Sequence, residues 1–263
     1  LSVMVFMLAL MLWEAAPAIR EVGLGSMLFG RTWAPDSGQF GFLPLIAGTL
    51  FSTLVALIIA LPLSLGSAIF MAEIAPPKIG RIARTSVELL AGIPSVVYGL
   101  VGILVICPLL ADVGGVSGRS VAAAGIVLGV MILPTVTMIS EDAIRAVPHH
   151  YREAALALGA TRWQTIRRVL LPAARSGIVA ATVLGIGRAI GETMAMTMVI
   201  GNQPLVPRSI FDPAYTLTGA IANEALEAGQ PATSVLFFAG VVLLCLVMAA
   251  SLVAIVSYRK TAR

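Results

Sequence analysis

The sequence predicts an all-α, polytopic membrane helix bundle, and three observations carry the prediction. Asp, Glu, Lys and Arg make up 11% of 263 residues, where a soluble domain carries about a quarter, so the chain lacks the charge to coat a water-soluble body. Hydrophobic residues reach 59% before the 25 glycines are counted, and mean hydropathy is +0.99. The apolar residues are also gathered into long, mostly uncharged runs, and a hydrocarbon core of about 30 Å takes about 20 helical residues to cross. A disordered chain, a secreted disulfide scaffold and a soluble enzyme are excluded. The net charge of +4 must be read by position, because no nucleic-acid face is formed.

Six runs follow along the chain. Residues 1–13 are too short to cross alone and read as the end of a first helix whose beginning is missing. The alternative is a signal-peptide core, because Ala16-Pro17-Ala18 resembles a cleavage site. Five full runs come next, at residues 43–72, 89–111, 121–140, 176–201 and 234–257, and only the fourth of these contains charges. The whole chain is predicted to be a single transmembrane domain, 1–263. Pro62, Pro94, Pro108 and Pro134 fall within spans, where each removes a backbone hydrogen bond and favours a kink. Small residues are abundant, as expected where lipid gives no hydrophobic drive between helices and close approach must supply the contacts.

Lys and Arg are retained on the cytoplasmic side of short loops. Lys78, Arg81 and Arg84 lie in one loop, Arg145, Arg152, Arg162, Arg167, Arg168 and Arg175 in another, and Arg259, Lys260 and Arg263 in the tail, against Arg20, Arg31, Arg119 and Arg208 opposite. The larger group is assigned to the cytoplasm. Residues 14–42 and 202–233 become the larger external loops, and the second, with Asp212, Glu224 and Glu227, is the expected contact for an external partner. Cys107 and Cys245 lie in apolar runs and read as packing residues. The adjacent His149 and His150 cannot share one helix face and read as solvated loop residues, so no metal site is expected. Neither lysine follows a glycine, so the chain has no P-loop; any ATP with its magnesium must be bound by a partner subunit.

The most polar internal stretch, residues 141–172, divides into a helical pattern from Tyr151 to Leu158, a break at Gly159 and a second helix from Arg162 to Leu170. Small Ala154 and Ala155 suit a partner's groove, Gly159 permits a turn, and Pro172 can open the next helix without its N–H. The order Glu153-Ala154-Ala155, Gly159, Val169, Leu171-Pro172 resembles the EAA loop of ABC-importer permeases. The resemblance implies a coupling helix that docks in a groove of the ATP-binding subunit, and the type I permease fold.

Arg188 and Glu192 lie in the middle of the fifth run, where a charge costs about 2.5–3.5 kcal/mol on insertion scales. Four residues apart, they share one face of a continuous helix and are expected to pair. A guanidinium presents a planar fork suited to phosphate or carboxylate oxygens. The hydroxyls of Ser95, Thr135, Thr193 and Thr197 are placed near the same depth, either facing a substrate pathway or bonded to their own helix backbone.

The run from Gly187 to Asn202, GRAIGETMAMTMVIGN, and the run from Ala91 to Gly99, AGIPSVVYG, resemble the fifth- and third-helix motifs of PstC-like permeases of the bacterial phosphate-specific ABC importer. That resemblance implies inorganic phosphate as cargo, the inner membrane as location, and Arg188 with Glu192 as the charged pair used in transport. The implied partners are a PstA-like sister permease, a PstB-like ATPase homodimer and a PstS-like binding protein, all within membrane lipid. The residues themselves leave open a permease for sulfate or molybdate, or a passive anion channel.

Overall fold

A computed structural model describes residues 2–114, 118–225, 229 and 231–260. Glu227 and Arg263 lie outside the described residues. The chain opens with α1 (Ser2–Glu21), longer than the expected 1–13 and carrying Pro17, then α2 (Leu24–Phe29) and a hairpin of β1 (Trp33–Ala34) and β2 (Gln39–Phe40). Helix α3 (Leu43–Ile69) ends in a wide π-type turn over Phe70–Ile74, and α4 (Pro77–Ala91) follows. Next come α5 (Ser95–Val101), a second wide turn over Gly102–Ile106, α6 (Cys107–Gly114) and α7 (Val121–Arg145). The basic loop forms α8 (His149–Ala157), α9 (Arg162–Thr165), a third wide turn over Ile166–Leu170, and α10 (Leu171–Ala173). Helices α11 (Arg175–Gly191), α12 (Met194–Val199), α13 (Leu217–Glu224) and α14 (Ala232–Lys260) are the last of the described residues' helices.

Four stretches among the described residues are long and apolar enough to cross a membrane: Leu43–Ile74, Ser95–Asp112, Val121–Arg145 and Ala232–Val256. Arg162–Ala173 with Arg175–Gly191, bent by 69°, makes a fifth if the pair counts as one. The run expected at 89–111 therefore starts its span at Ser95 rather than Leu89. Residues 77–91 form a separate amphipathic helix, because Gly92 closes it and Pro94 starts the next. Pro62 and Pro134 lie inside helices, whereas Pro94 is the residue before a helix start, where its missing N–H is no loss.

The chain divides into two compact units. The first comprises Leu1–Ala56, Pro94–Leu128 and Ala189–Ala249; the second comprises Leu57–Ile93, Gly129–Arg188 and Ala250–Arg263. The first unit is built on aromatic packing: Trp33, Phe40, Phe42 and Phe238 are buried, with ring centres 5.6 Å apart for Trp33–Phe42 and 5.8 Å for Phe42–Phe238. Helix α5 lies against α12, and a Cβ on Gly99 would sit 3.0 Å from the Ala195 Cα and 2.6 Å from the Met198 sulfur. Only glycine admits that approach, as small-residue packing in lipid requires. The second unit packs Ala68, Ile69, Ile144, Val147, Ile166, Leu170, Ala174 and Ile178 into one core beneath the basic loop.

In the first unit Glu224, at the end of α13, turns inward. Its Oε1 accepts from Trp33 Nε1 at 2.9 Å and from Tyr215 Oη at 3.1 Å. Burial pushes its carboxyl above the usual range, and the Asp36 charge adds to this while the two hydrogen bonds act against it. Glu224 thus anchors the end of α13 to Trp33 and Tyr215. The folded state holds its proton to higher pH than the unfolded chain does. Its contribution is therefore complete below the ordinary carboxylate range and declines as pH rises through that range to the raised value. Thermal unfolding of the complete transporter from about pH 4 to about pH 8 should show this decline, and Glu224→Gln should flatten it; an unchanged slope would remove Glu224 as its source.

Candidate functional site

The fifth run is not one helix. Helix α11 stops at Gly191, Thr193 takes φ −115° and ψ −62°, and α12 begins at Met194. The break is held from both sides. Thr218 Oγ1 on α13 donates to the Glu192 carbonyl at 2.9 Å, and the Ala195 backbone N–H donates to Glu192 Oε1 at 3.2 Å. Glu192 therefore caps α12, meeting one of the donors that a helix start leaves unpaired. The shared face that would have paired it with Arg188 needs a continuous helix, so that expectation is corrected.

Arg188 stands on the last turn of α11, exposed, and its Nη1 donates to Thr135 Oγ1 at 3.2 Å. Gly185, one turn earlier, explains the meeting: a Cβ there would fall 2.7 Å from Val136 Cγ2, so its absence lets α11 close on α7 beside Thr135. Neither Arg188 nor Glu192 takes part in an ion pair among the described residues. A guanidinium has five donors; the one to Thr135 leaves most of the fork available to an oxyanion. Thr193 Oγ1 donates to the Gly191 carbonyl at 3.3 Å and Thr197 Oγ1 to the Met194 carbonyl at 3.0 Å, so both satisfy local backbone. Ser95 opens α5, the helix that lies on α12. The six residues thus fall into two groups: Arg188 and Thr135 in the second unit; Ser95, Glu192, Thr193 and Thr197 in the first.

The basic loop folds as an elbow. Helix α8 starts at His149, so the two histidines are helical and not loop residues; His149 Nδ1 lies 3.2 Å from Glu153 Oε1. Gly159 takes φ +81°, where L side chains are strained, and its N–H reaches the Leu156 carbonyl at 2.9 Å. Glu153 and Ala154 are exposed and Ala155 is buried. Thr161 and Gln164 form a reciprocal capping box at the start of α9, legible in the T-x-x-Q spacing. Pro172 lies inside α10 and is exposed, and the next long helix starts at Arg175. Leu158 is 89% exposed and Trp163 57%, so the elbow presents large apolar side chains without cover in this chain.

Two buried ion-pair clusters of the second unit, the first of them an anchor of the elbow, were not singled out in the sequence. Arg152, 16% exposed, forms an ion pair with Glu73, 13% exposed, with Nε at 3.1 Å from Oε1, and it also donates to the Val147 and Ile144 carbonyls. Glu141 is fully buried, 2.7 Å from Arg145 Nε and 3.4 Å from Arg84 Nη1. The signal for the second was present: Glu141 and Arg145 stand four apart on a helix, in the favourable order. Asp142, then Glu88, hold the Arg84 guanidinium further above its usual range.

Residues 64–261 match the family described as binding-protein-dependent transport system inner membrane component. The chain belongs to this family. Over 241 residues the permease is 44% identical to the probable ABC transporter permease protein YqgH of Bacillus subtilis, covering 90% of this chain and 77% of that one. It is 39% identical over 251 residues to the phosphate transport system permease protein PstC of Haemophilus influenzae, covering 88% and 78%. Among solved structures, an inward-facing MetNI methionine ABC transporter superposes with a TM-score of 0.61 at 26% identity, covering 84% of this chain and 94% of that one. A bacterial alginate ABC transporter does so with 0.62 at 21%, covering 84% and 80%. The permease is thus a multi-pass membrane subunit with the type I ABC-importer fold, and its family works with an ATP-binding subunit and a substrate-binding protein.

Gly159→Pro is a direct test of the elbow in this permease. Proline fixes φ near −65° and removes the N–H bonded to Leu156, so the turn cannot form as it stands. ATP hydrolysis by the complete transporter should continue while substrate uptake falls at least about tenfold, since a misplacement of about 1 Å alone can cost 10²-fold. Uptake per ATP equal to wild type would exclude a transmitting role for the turn.

Proposed function

We propose that this permease translocates inorganic phosphate across the inner membrane of a bacterium as the PstC-like half of an ATP-driven importer. The observation that carries the reading is its 39% identity, over most of both chains, to a protein named for phosphate transport. Residues 1–263 act as one permease domain beside a PstA-like sister, above a PstB-like ATPase homodimer and beneath a PstS-like binding protein. Arg188 offers its open fork to the phosphate oxygens, with Thr135 holding the guanidinium by one donor. Ser95, Thr193 and Thr197 border the path, and Glu192 sets the helix break from which the path is shaped. Because the Glu192 carboxylate is engaged by Ala195, phosphate reaches Arg188 without first displacing it.

On the opposite side, Glu153, Ala154, Ala155, Gly159 and Pro172 form the coupling element. Exposed Leu158 and Trp163 supply apolar contact for the ATPase groove, the mode in which an amphipathic helix lays its apolar side chains into a partner. The test is uptake of labelled phosphate by proteoliposomes holding the complete transporter, with sulfate and molybdate as competitors. ATP-dependent phosphate uptake that excess sulfate leaves intact is expected. Uptake of sulfate or molybdate in its place, or anion flux without the ATPase, would overturn the assignment.

A further inference from the structure

Two of the four cations assigned by sequence to the external side, Arg31 and Arg208, line one cavity of about 620 Å³ in the first unit, with Gln203, Asp212, Leu43 and Leu205. A volume of this size falls in the range of small-ligand sites. Among the described residues neither guanidinium has an ion pair or a side-chain hydrogen bond. The carboxylate on the wall, Asp212, turns Oδ2 to the backbone N–H groups of Arg208 and Ser209, at 2.8 and 2.9 Å. It therefore orders the loop that carries Arg208, and two guanidiniums against one carboxylate leave the lining with a net positive charge.

The loop is also pinned before any ligand arrives. Gln203 N donates to the Ala214 carbonyl at 3.2 Å and Ala214 N to the Ile200 carbonyl at 3.1 Å, while the Ile210 and Asp212 carbonyls accept from Ala122 and Val121 N–H at 2.7 and 3.0 Å. Little ordering remains to be done on binding, which is how preorganisation raises affinity. The apolar part of the wall lowers the local dielectric and strengthens guanidinium–oxyanion attraction. Asn202, just ahead of Gln203, donates from Nδ2 to the Thr197 carbonyl at 2.7 Å, tying the loop to the end of α12.

We propose that this cavity is a reception site for an oxyanion, where phosphate rests between Arg31 and Arg208 before it enters the path; the inference rests on the phosphate-importer reading. The same phosphate chemistry is offered by an anionic lipid headgroup, and the experiment separates the two. The assembled transporter, without binding protein, is placed in phosphatidylcholine nanodiscs and titrated with inorganic phosphate by calorimetry. Every sample carries Arg188→Gln, so that the central arginine contributes nothing. Phosphate binding is expected in this background, to weaken about tenfold or more when Arg31→Gln and Arg208→Gln are added, and to recover in part with the two lysine variants, which keep charge but lose the fork. Absent binding, or binding indifferent to the two glutamines, would overturn the reception site while leaving the importer reading to the uptake of the unaltered complex. In phosphatidylglycerol nanodiscs, retained phosphate binding supports the site. Phosphate binding lost completely in phosphatidylglycerol while it persists in phosphatidylcholine would give the cavity to a headgroup and overturn the proposal.

Discussion

Proteoliposomes carrying the complete transporter with Arg188→Ala are expected to lose phosphate uptake by about a hundredfold or more, the range seen when one preorganised donor to an oxyanion is removed. A phosphate leaving water inside a low-dielectric span must be met by a fixed positive charge, because an uncompensated anion there is far too costly. Arg188 is exposed on the last turn of α11 with one donor engaged by Thr135, so truncation removes the charge without opening a core cavity, and the protein should still fold. Arg188→Lys should restore part of the rate, because the charge returns without the planar fork. Unimpaired uptake by the alanine variant, at wild-type expression, would remove Arg188 from the mechanism.

The second large effect is expected at Arg152. Its guanidinium ties α8 to Glu73, to the Ile144 carbonyl in the last turn of α7 and to the Val147 carbonyl just beyond it, and both charged side chains are mostly buried. Arg152→Ala leaves the Glu73 carboxylate without its partner, a loss of about 3–5 kcal/mol for a buried pair broken on one side. Thermal unfolding of the complex should move sharply downward, and ATP hydrolysis should uncouple from uptake because the elbow loses its hold on the turn that follows α3. The double variant Glu73→Leu with Arg152→Met removes both charges; it should regain much of the stability while transport stays uncoupled. A double variant no more stable than Arg152→Ala would show that the pair is not what holds the elbow.

Much of the architecture was legible because lipid imposes it. The runs at 43–72, 121–140 and 234–257 became α3 with its terminal turn, α7 and α14, since an apolar segment of that length has few other ways to satisfy its backbone in a bilayer. The elbow was legible as two short helices about Gly159, which takes the positive φ that a glycine there allows. What stayed hidden was decided by distant partners. Residues 176–201 read as one helix, but the chain breaks after Gly191, where Thr218 bonds the Glu192 carbonyl and the Glu192 side chain caps α12; hydropathy cannot register a hydrogen bond from 26 residues away. Residues 202–233 read as an external loop, yet they contain α13 with buried Leu217, Thr218, Gly219 and Ala220. The ion pair of Arg152 with Glu73 joins positions 79 apart, and neither residue alone differs from an ordinary charge at a span's end.

The role of Arg188 is tested most directly by the structure of the complete transporter trapped during turnover with phosphate. The account predicts a phosphate with an oxygen within about 3 Å of an Arg188 guanidinium nitrogen, with Glu192 still capping α12. A phosphate bound elsewhere in the span while Arg188 is closed onto a protein carboxylate would contradict it.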